Sequence, residues 1–307
     1  MANKKVLIPV DGSPQSMAAV KYAGRIFTRD ADVTLFHLHA LRPETCLDFG
    51  GNFTPADLPF EEWRGLSTEN IDGYFKEAAR ILKSQGFASR AVEIISANTK
   101  QGYARDILEK SRDDFDALVF GRFGFATLGA GVLGGVAAKL VESARHIPLV
   151  VVGGEPDRDK ILIACDGSAA SKKAVTCVGD LATKKVRRVL LATVVRPLNL
   201  PYLAPKKFFK QRLETNWVDE NTRKIVPLLG NMRTRLIHRG FDADQITESI
   251  IREKTSRADG IIGEARGRQY ETIVAGRKGL TATQDFAMGR VTRKLLSLCD
   301  DRAVWIV

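Results

Sequence analysis

The sequence lacks the hydrophobic run of about 18 residues that a membrane-spanning helix needs. The segment Met1–Lys5 leads straight into a short apolar stretch, without the long apolar core and small-residue cleavage site of a secretion signal. Cysteine is scarce and shows no CxxC spacing; the four thiols are Cys46, Cys165, Cys177 and Cys299. We therefore expect a cytoplasmic protein with reduced cysteines and no membrane partner.

The common catalytic motifs are also missing. There is no GxxxxGK[ST] phosphate loop, no HExxH zinc motif and no GxSxG nucleophile elbow. Asp11 and Asp166 follow similar apolar segments but have no repeated His, Lys or Cys partner. The sequence therefore predicts that the protein is not a dedicated enzyme and has no catalytic residues.

The four histidines do not suggest a metal site. His37 and His39 alternate along a predicted buried strand, and we place one on each side of the sheet. Hydrogen bonds inside the protein are the expected role of both, in preference to metal ligation. His146 and His238 stand alone in the sequence. We predict no metal-binding residues.

What the sequence does contain is a repeat. Asp11-Gly12-Ser13 recurs as Asp166-Gly167-Ser168, and Gly121-Arg122-Phe123-Gly124 recurs as Gly276-Arg277-Lys278-Gly279, each 155 residues later. Repeated spacing over a whole half indicates duplication, and each half is long enough to enclose its own core. We predict two domains of one fold, residues 1–153 and 158–307. Because the linker between them is short, the halves are expected to pack together.

Apolar segments and helix signals alternate in each half. Val6–Val10 is apolar and ends at a turn signal, which predicts a buried strand, and Ser13 and Pro14 favour a helix start. In the first half we predict strands at 5–10, 33–39, 91–96, 117–121 and 148–152, helices at 13–27, 56–84, 103–111 and 136–144, and a loop at 41–59. In the second half we predict strands near 160–165, 188–194, 244–251, 272–275 and 303–307, and helices near 169–182, 206–238, 259–268 and 290–298. This alternation implies an α/β fold with two tandem doubly wound, Rossmann-like domains, each a five-stranded parallel sheet flanked by helices.

A glycine loop connects the fourth strand to the last helix of each half. Its pattern is Gly121-x2-Gly124-x9-Gly134, and Gly276, Gly279 and Gly289 repeat it. Glycine lets backbone N–H groups approach a phosphate closely, and a helix N-terminus adds unpaired donors and a favourable dipole. The loop and the Asp-Gly-Ser motif both follow strand carboxyl ends, where doubly wound sheets bind ligands. The pattern predicts a polyphosphate site; glycines that only form turns are the alternative.

Together these motifs and the closing strand Pro148–Val152 resemble the universal stress protein family, once in each half. The resemblance implies a tandem member of the family with a role in the stress response. It also implies the five-stranded fold, an internal pseudo-dimer of the two halves, and the option of a further homodimer. One branch of the family binds ATP through G-x2-G-x9-G-(S/T). Here Gly135 and Arg290 stand where that pattern has its hydroxyl residue.

The resemblance places the nucleotide contacts at particular residues. In the first half they are Pro9, Asp11, Leu38, Phe120, Gly121, Gly124, Gly134, Gly135 and Val136. In the second half they are Ala164, Asp166, Val194, Ala275, Gly276, Gly279, Gly289, Arg290 and Val291. Asp11 would accept a hydrogen bond from the nucleoside, or would instead cap the following turn with Ser13. Because the second half replaces both Pro9 and the hydroxyl residue, its site is expected to be weaker.

Three interpretations therefore stand beside one another. The first is a regulatory protein that binds ATP with Mg²⁺, mainly in the first half, as a conformational ligand; slow hydrolysis is not excluded by the sequence. The second is a protein-interaction scaffold of the branch that does not bind nucleotides. The third is a polyanion binder, because residues 156–307 carry a net charge of +12 whereas residues 1–155 carry −1. Nucleic acid is not expected, since no aromatic-rich binding motif accompanies the charge.

Overall fold

The computed structural model describes residues 3–39, 60–124, 132–195, 207–252, 256–280 and 288–307, with only the backbone described at 60–69 and 207–218. Cys46 and the predicted loop at 41–59 lie outside the described residues. The chain divides into two compact units, residues 1–156 and 157–307.

The first unit contains a parallel five-stranded sheet. Its strands are β1 (Lys5–Pro9), β2 (Asp32–His39), β3 (Val92–Asn98), β4 (Ala117–Gly121) and β5 (Leu149–Val152). They lie in the order β3-β2-β1-β4-β5, and every neighbouring pair is parallel. The strand order reverses between β1 and β4. The carboxyl ends of these two strands therefore flank the crevice where such sheets bind ligands.

Helices connect these strands. They are α1 (Pro14–Ile26), α2 (Phe60–Ser84), α3 (Tyr103–Lys110) and α4 (Gly135–Ser143), with a short 3-10 helix at Ser89–Ala91. The predicted start of α1 is confirmed: the Ser13 hydroxyl accepts the Ser16 N–H at 3.2 Å, and Pro14 occupies the first turn. The cap fixes the direction in which the chain leaves β1, which positions the Asp-Gly-Ser motif at the sheet edge.

The core explains the strand sequences. Val6, Leu7 and Ile8 are fully buried because β1 lies in the middle of a parallel sheet that is covered on both faces. β3 lies at the sheet edge, and several of its side chains are exposed, Ile94 among them. Weak apolar patterning at this edge is why the predicted strand 91–96 stops short of the observed end at Asn98.

The second unit repeats the architecture. Its strands are β6 (Lys160–Ala164), β7 (Arg188–Val195), β8 (Ile246–Arg252), β9 (Thr272–Ala275) and β10 (Ala303–Ile306). Its helices are α5 (Ala169–Leu181), α6 (Lys207–Ile237), α7 (Arg257–Gly267) and α8 (Arg290–Leu298). Within this unit the strand order is β8-β7-β6-β9-β10, again with parallel neighbours. The predicted α/β fold with a five-stranded sheet in each half is confirmed. In the part of the chain that the structure describes, no helix is both long and apolar enough to cross a membrane.

Candidate functional site

Asp11 follows the end of β1 at the crevice, and its two carboxylate oxygens face different groups. Its Oδ1 accepts the Ser13 N–H at 2.9 Å, across Gly12, whose φ of 81° requires a residue without a side chain. Its Oδ2 points at the glycine loop, since a Cβ added to Gly124 would lie 2.9 Å from that oxygen. The side chain is exposed. One oxygen therefore shapes the turn, and the other faces the loop that was predicted to bind phosphate.

The two ends of the glycine loop are tied together. The Gly134 N–H donates to the Arg122 carbonyl oxygen at 3.0 Å, and Arg122 Nε donates to the Val132 carbonyl oxygen at 3.2 Å. Arg122 is only 1% exposed, so its guanidinium supports the loop from inside the protein. A Cβ on Gly121 would lie 2.7 Å from the Gln15 carbonyl oxygen. Gly121 is therefore required by the close approach of β4 and α1, whether or not a ligand binds.

The N-terminus of α4 provides backbone donors beside this loop. Gly134 holds the cap position in an extended conformation, and α4 has no side-chain cap, whereas α1 is capped by Ser13. Gly135 and Val136, in the first turn of α4, are exposed. The first N–H groups of a helix have no partner within it and favour an anion. The arrangement suits a phosphate group between the loop and α4.

The other predicted contacts of the first half lie around the same strand ends, but two of their side chains belong to the core. Pro9 is half-buried at the end of β1. Leu38 and Phe120 are 7% and 4% exposed, so their side chains pack inside the protein. Only the backbones of these two residues remain for a nucleoside to contact.

Two residues beside Asp11, Tyr74 and His37, are not among the predicted contacts. The Tyr74 ring of α2 covers Gly12, such that a Cβ on Gly12 would lie 2.5 Å from the ring. The Tyr74 hydroxyl lies 2.6 Å from His37 Nδ1, which also lies 3.0 Å from the Val10 carbonyl oxygen. Because a carbonyl oxygen can only accept, Nδ1 carries the proton when it binds Val10. No signal in the sequence pairs Tyr74 with Asp11.

This environment changes the proton affinities of both side chains. Burial lowers the pKa of His37; the hydrogen bond to Val10 and the Asp11 charge oppose that effect, and His39 adds to it. Burial raises the pKa of Tyr74, and the negative charge of Asp11 raises it further. At neutral pH the pair is therefore an uncharged wall of the crevice, and Asp11 supplies the negative charge.

The predicted placement of the two histidines on opposite faces is wrong. The rings of His37 and His39 have centroids 4.8 Å apart, because residues two apart on a strand point to the same side of a sheet. His39 Nε2 lies 2.7 Å from the Ser96 hydroxyl oxygen. Both histidines thus have hydrogen-bond partners inside the protein, as predicted. Among the described residues, no group of three or more His, Cys, Asp or Glu side chains could hold a metal ion.

The second unit builds the same turn with its own aspartate. Asp166 Oδ1 accepts the Ser168 N–H at 3.0 Å, and its Oδ2 accepts the Leu280 N–H of the glycine loop at 3.3 Å. Both carboxylate oxygens therefore already have backbone partners. Leu228 lies over Gly167, where the first unit has Tyr74 over Gly12.

The remaining second-half contacts take the expected positions. Gly289 donates to the Arg277 carbonyl oxygen at 2.9 Å and precedes α8, whose first residue, Arg290, is exposed. A Cβ on Gly276 would lie 2.7 Å from Ala170 Cβ, so this glycine too is required by packing. Four further predicted contacts lie at or near the same edge; they are Ala164, Val194, Ala275 and Val291. The described ends of the glycine loop are thus arranged as in the first half, with a cation where the first half has Gly135.

Known proteins resemble the chain in sequence. A universal stress protein of Mycolicibacterium smegmatis is 27% identical over 207 residues, which cover 65% of this chain and 67% of that protein. A universal stress protein of Mycobacterium tuberculosis (strain H37Rv) is 25% identical over 189 residues, covering 59% of this chain and 60% of that protein. The matched region thus spans only 60% to 67% of each relative's length.

Solved structures resemble the chain in fold. A universal stress protein from Archaeoglobus fulgidus superposes with a TM-score of 0.59 at 14% identity, covering 100% of this chain and 98% of that one. A putative universal stress protein from Pseudomonas aeruginosa gives 0.55 at 14% identity, with 100% and 93% covered. Identity this low shows a common fold alone.

The two halves also match a family model separately. The model, described as the universal stress protein family, matches residues 2–153 and again residues 157–306. Both matches contain an Asp-Gly-Ser turn and a glycine loop with the geometry described above. The chain therefore belongs to the universal stress protein family, with two domains of that family in tandem.

Proposed function

We propose that the protein binds ATP at the crevice of its first domain and acts as a regulatory protein in the stress response. The observation that carries the proposal is the close approach of Asp11 to Gly124. A carboxylate oxygen there faces a loop residue that has no side chain. Asp11 would accept from the nucleoside, and the loop and the first turn of α4 would hold the phosphates. These groups come from β1, the β4 loop and α4, so a bound nucleotide would connect three parts of the domain.

The residues present fit a nucleotide in charge and in space. The backbone of the α4 N-terminus offers N–H groups that no side chain caps, and the space beside Gly135 is open. Phosphate oxygens and water would supply most ligands of the accompanying Mg²⁺. ATP would act as a conformational ligand, since it adds binding energy only to the folded domain.

The second domain is proposed to be the weaker site. Its strand β6 ends in Ala164 where β1 ends in Pro9. A nucleoside at Asp166 would also have to displace the Leu280 N–H, whose first-domain counterpart, Phe125, lies outside the described residues. Arg290 is exposed at the start of α8 and could pair with a phosphate in place of the missing hydroxyl. The hydroxyl that both domains lack is worth roughly 0.5–3 kcal/mol of binding free energy.

The test begins with the freshly purified protein. It is denatured, the released small molecules are identified by chromatography and mass spectrometry, and ATP with Mg²⁺ is titrated by calorimetry. Asp11→Ala and Asp166→Ala form a matched pair, since each removes the same turn hydrogen bond, at 2.9 and 3.0 Å. We expect Asp11→Ala to lower ATP affinity by about tenfold or more, and Asp166→Ala to leave the high-affinity site intact.

The same experiment separates the alternatives. Two equally tight ATP sites per chain would show that Arg290 replaces the hydroxyl and that the second domain is not the weaker one. No bound nucleotide and no binding heat would overturn the proposal and leave a protein-interaction scaffold. Turnover of ATP that requires Mg²⁺ and falls in Asp11→Ala would show hydrolysis in place of simple binding.

A further inference from the structure

The second domain contains a cationic groove whose lining includes none of the described residues of the glycine loop. It is a cavity of about 620 Å³ between α5 and α6. Four basic side chains line it, together with the half-buried Leu228 and the almost fully buried Met232. The basic residues are Lys172, Arg235, His238 and Arg239. We propose that this groove binds a small organic phosphate with at least two negative charges. We call it the α5–α6 groove.

Two of the cations are available to a ligand. Lys172 and Arg235 are exposed, and neither side chain has a hydrogen bond or ion pair with a described residue. Arg239 is held more firmly, since its Nε lies 2.9 Å from Asp180 Oδ1 and its side chain packs on Gly179. Asp180 partly neutralises Arg239, so most of the uncompensated charge comes from Lys172 and Arg235.

Helix stability does not account for this charge. Cations near a helix C-terminus favourably oppose the helix dipole, which explains basic residues at the end of α6. Lys172, however, lies in the first turn of α5, where the dipole disfavours a positive charge. A cation that opposes the local helix field and has no described protein partner points to an anion from outside the chain.

The first domain provides an internal comparison. The residues that correspond in the repeat to Lys172, Arg235, His238 and Arg239 are Met17, Ile81, Ser84 and Gln85. The correspondence is structural as well, because Gln85 packs on Gly24 as Arg239 packs on Gly179. The same fold is thus built without any of the four basic side chains. The architecture therefore does not require them, and an external anion gives their presence in the second domain a reason.

The shape and lining of the groove indicate the class of ligand. Its volume lies in the range of small-molecule sites, and its apolar surface suits the organic part of a ligand. Among the described residues that line it there is no Phe, Tyr or Trp, so His238 is the single ring there on which a nucleic-acid base could stack. Arginine and lysine side chains that converge on a small volume suit phosphate groups.

The test uses the full chain and tripolyphosphate as the probe. The variant Lys172→Met/Arg235→Gln removes both available cations, and Lys172→Met reproduces the residue of the first domain. The control Lys173→Met/Arg223→Gln removes the same charge from exposed positions of α5 and α6 that do not line the groove. Calorimetry with each protein, at two salt concentrations, gives the affinity. Gly124→Val/Gly279→Val prevents binding at the two glycine loops.

We expect tripolyphosphate to bind the loop variant, and its affinity to fall about tenfold or more in the groove variant but not in the control. Equal affinities of the groove variant and the control would overturn the proposal. So would loss of all binding in the loop variant, because the phosphate would then belong to the nucleotide sites. A 20-nucleotide single-stranded DNA that binds through the groove more tightly than tripolyphosphate would show that the occupant is a nucleic acid instead.

Discussion

At the scale of single residues, the loop hydroxyl is the simplest feature to restore. A Cβ on Gly135 would meet nothing within 4 Å, and Gly135 begins α4, where serine is tolerated. We therefore expect Gly135→Ser to increase ATP affinity, by about 0.5–3 kcal/mol, because the new hydroxyl donates to a phosphate. Calorimetric titration of ATP with Mg²⁺ measures the change. Arg290→Ser in the second domain is the control, and unchanged affinity in Gly135→Ser would place the phosphates elsewhere.

A substitution of Gly121, at the end of β4, tests the packing of β4 on α1 and not ligand binding. A Cβ on Gly121 would lie 2.7 Å from the Gln15 carbonyl oxygen, and backbone cannot move aside as easily as a side chain. We expect Gly121→Ala to lower the free energy of unfolding by about 1–3 kcal/mol. Urea unfolding followed by circular dichroism checks this value. Gly135→Ala has open space and should change stability by less than about 1 kcal/mol; equal losses would contradict the packing argument.

His37 gives the stability of the protein a dependence on pH. Burial lowers its pKa in the folded state below 6.5, so the unfolded chain binds its proton first as pH falls. Above about pH 6.5, His37 therefore does not reduce the free energy of unfolding. As the pH falls from there through the lowered pKa, the free energy of unfolding decreases. Urea unfolding at several pH values between 7.5 and 5 should show this loss.

The control substitution comes from the second domain. Thr193 donates to the Cys165 carbonyl oxygen at 2.6 Å, at the position that His37 takes beside Val10. His37→Thr therefore keeps a donor at that place and removes the titrating group. It should reduce the loss of stability between pH 7.5 and 5. An identical pH profile in this variant would assign the loss to other groups.

At the scale of elements, α1 and α5 begin in the same way. Ser13 accepts the Ser16 N–H at 3.2 Å, and Ser168 accepts the Ser171 N–H at 3.1 Å. Ser13→Ala and Ser168→Ala should each destabilise their own domain by about 0.5–2 kcal/mol. Urea unfolding of the two variants compares them directly. A loss at one helix only would show that hydrogen-bond geometry alone does not determine the value of the cap.

Most elements of the fold could be predicted because their signals are local. The Asp-Gly-Ser turn, Ser13 and Pro14 mark the end of one strand and the start of one helix, and duplication presents each signal twice. Ends of edge strands are less certain, as β3 shows. The shared face of His37 and His39 follows from the sequence as well, since a period of two places both rings on the same side of the sheet.

The candidate site could be predicted only in part. The positions of Asp11 and the loop glycines follow from their motifs, and the structure places them together. Tyr74 could not be found in the same way, since its partner Gly12 is 62 residues away and the second domain has Leu228 in its place. Long-range packing of this kind leaves no periodic signal.

At the scale of the whole molecule, ATP should stabilise the protein. A ligand that binds only the folded state at 100 times its Kd contributes about 2.7 kcal/mol. We expect the midpoint of thermal unfolding to rise with ATP and Mg²⁺ in the wild type and in Gly279→Val. Gly124→Val should abolish the rise, because its side chain would press on Asp11 Oδ2. A rise that persists in Gly124→Val and is lost in Gly279→Val would assign the working site to the second domain.

The turn formed by the two aspartates has a consequence for how such proteins are recognised. Asp11 and Asp166 each accept a hydrogen bond from the N–H two residues ahead, at nearly equal distances. These hydrogen bonds shape the turn without any nucleotide. Selection for a correctly folded turn is enough to keep an aspartate there after binding has been lost. A search that takes Asp-Gly-Ser alone as a mark of ATP binding will therefore also count domains in which the aspartate serves only the turn.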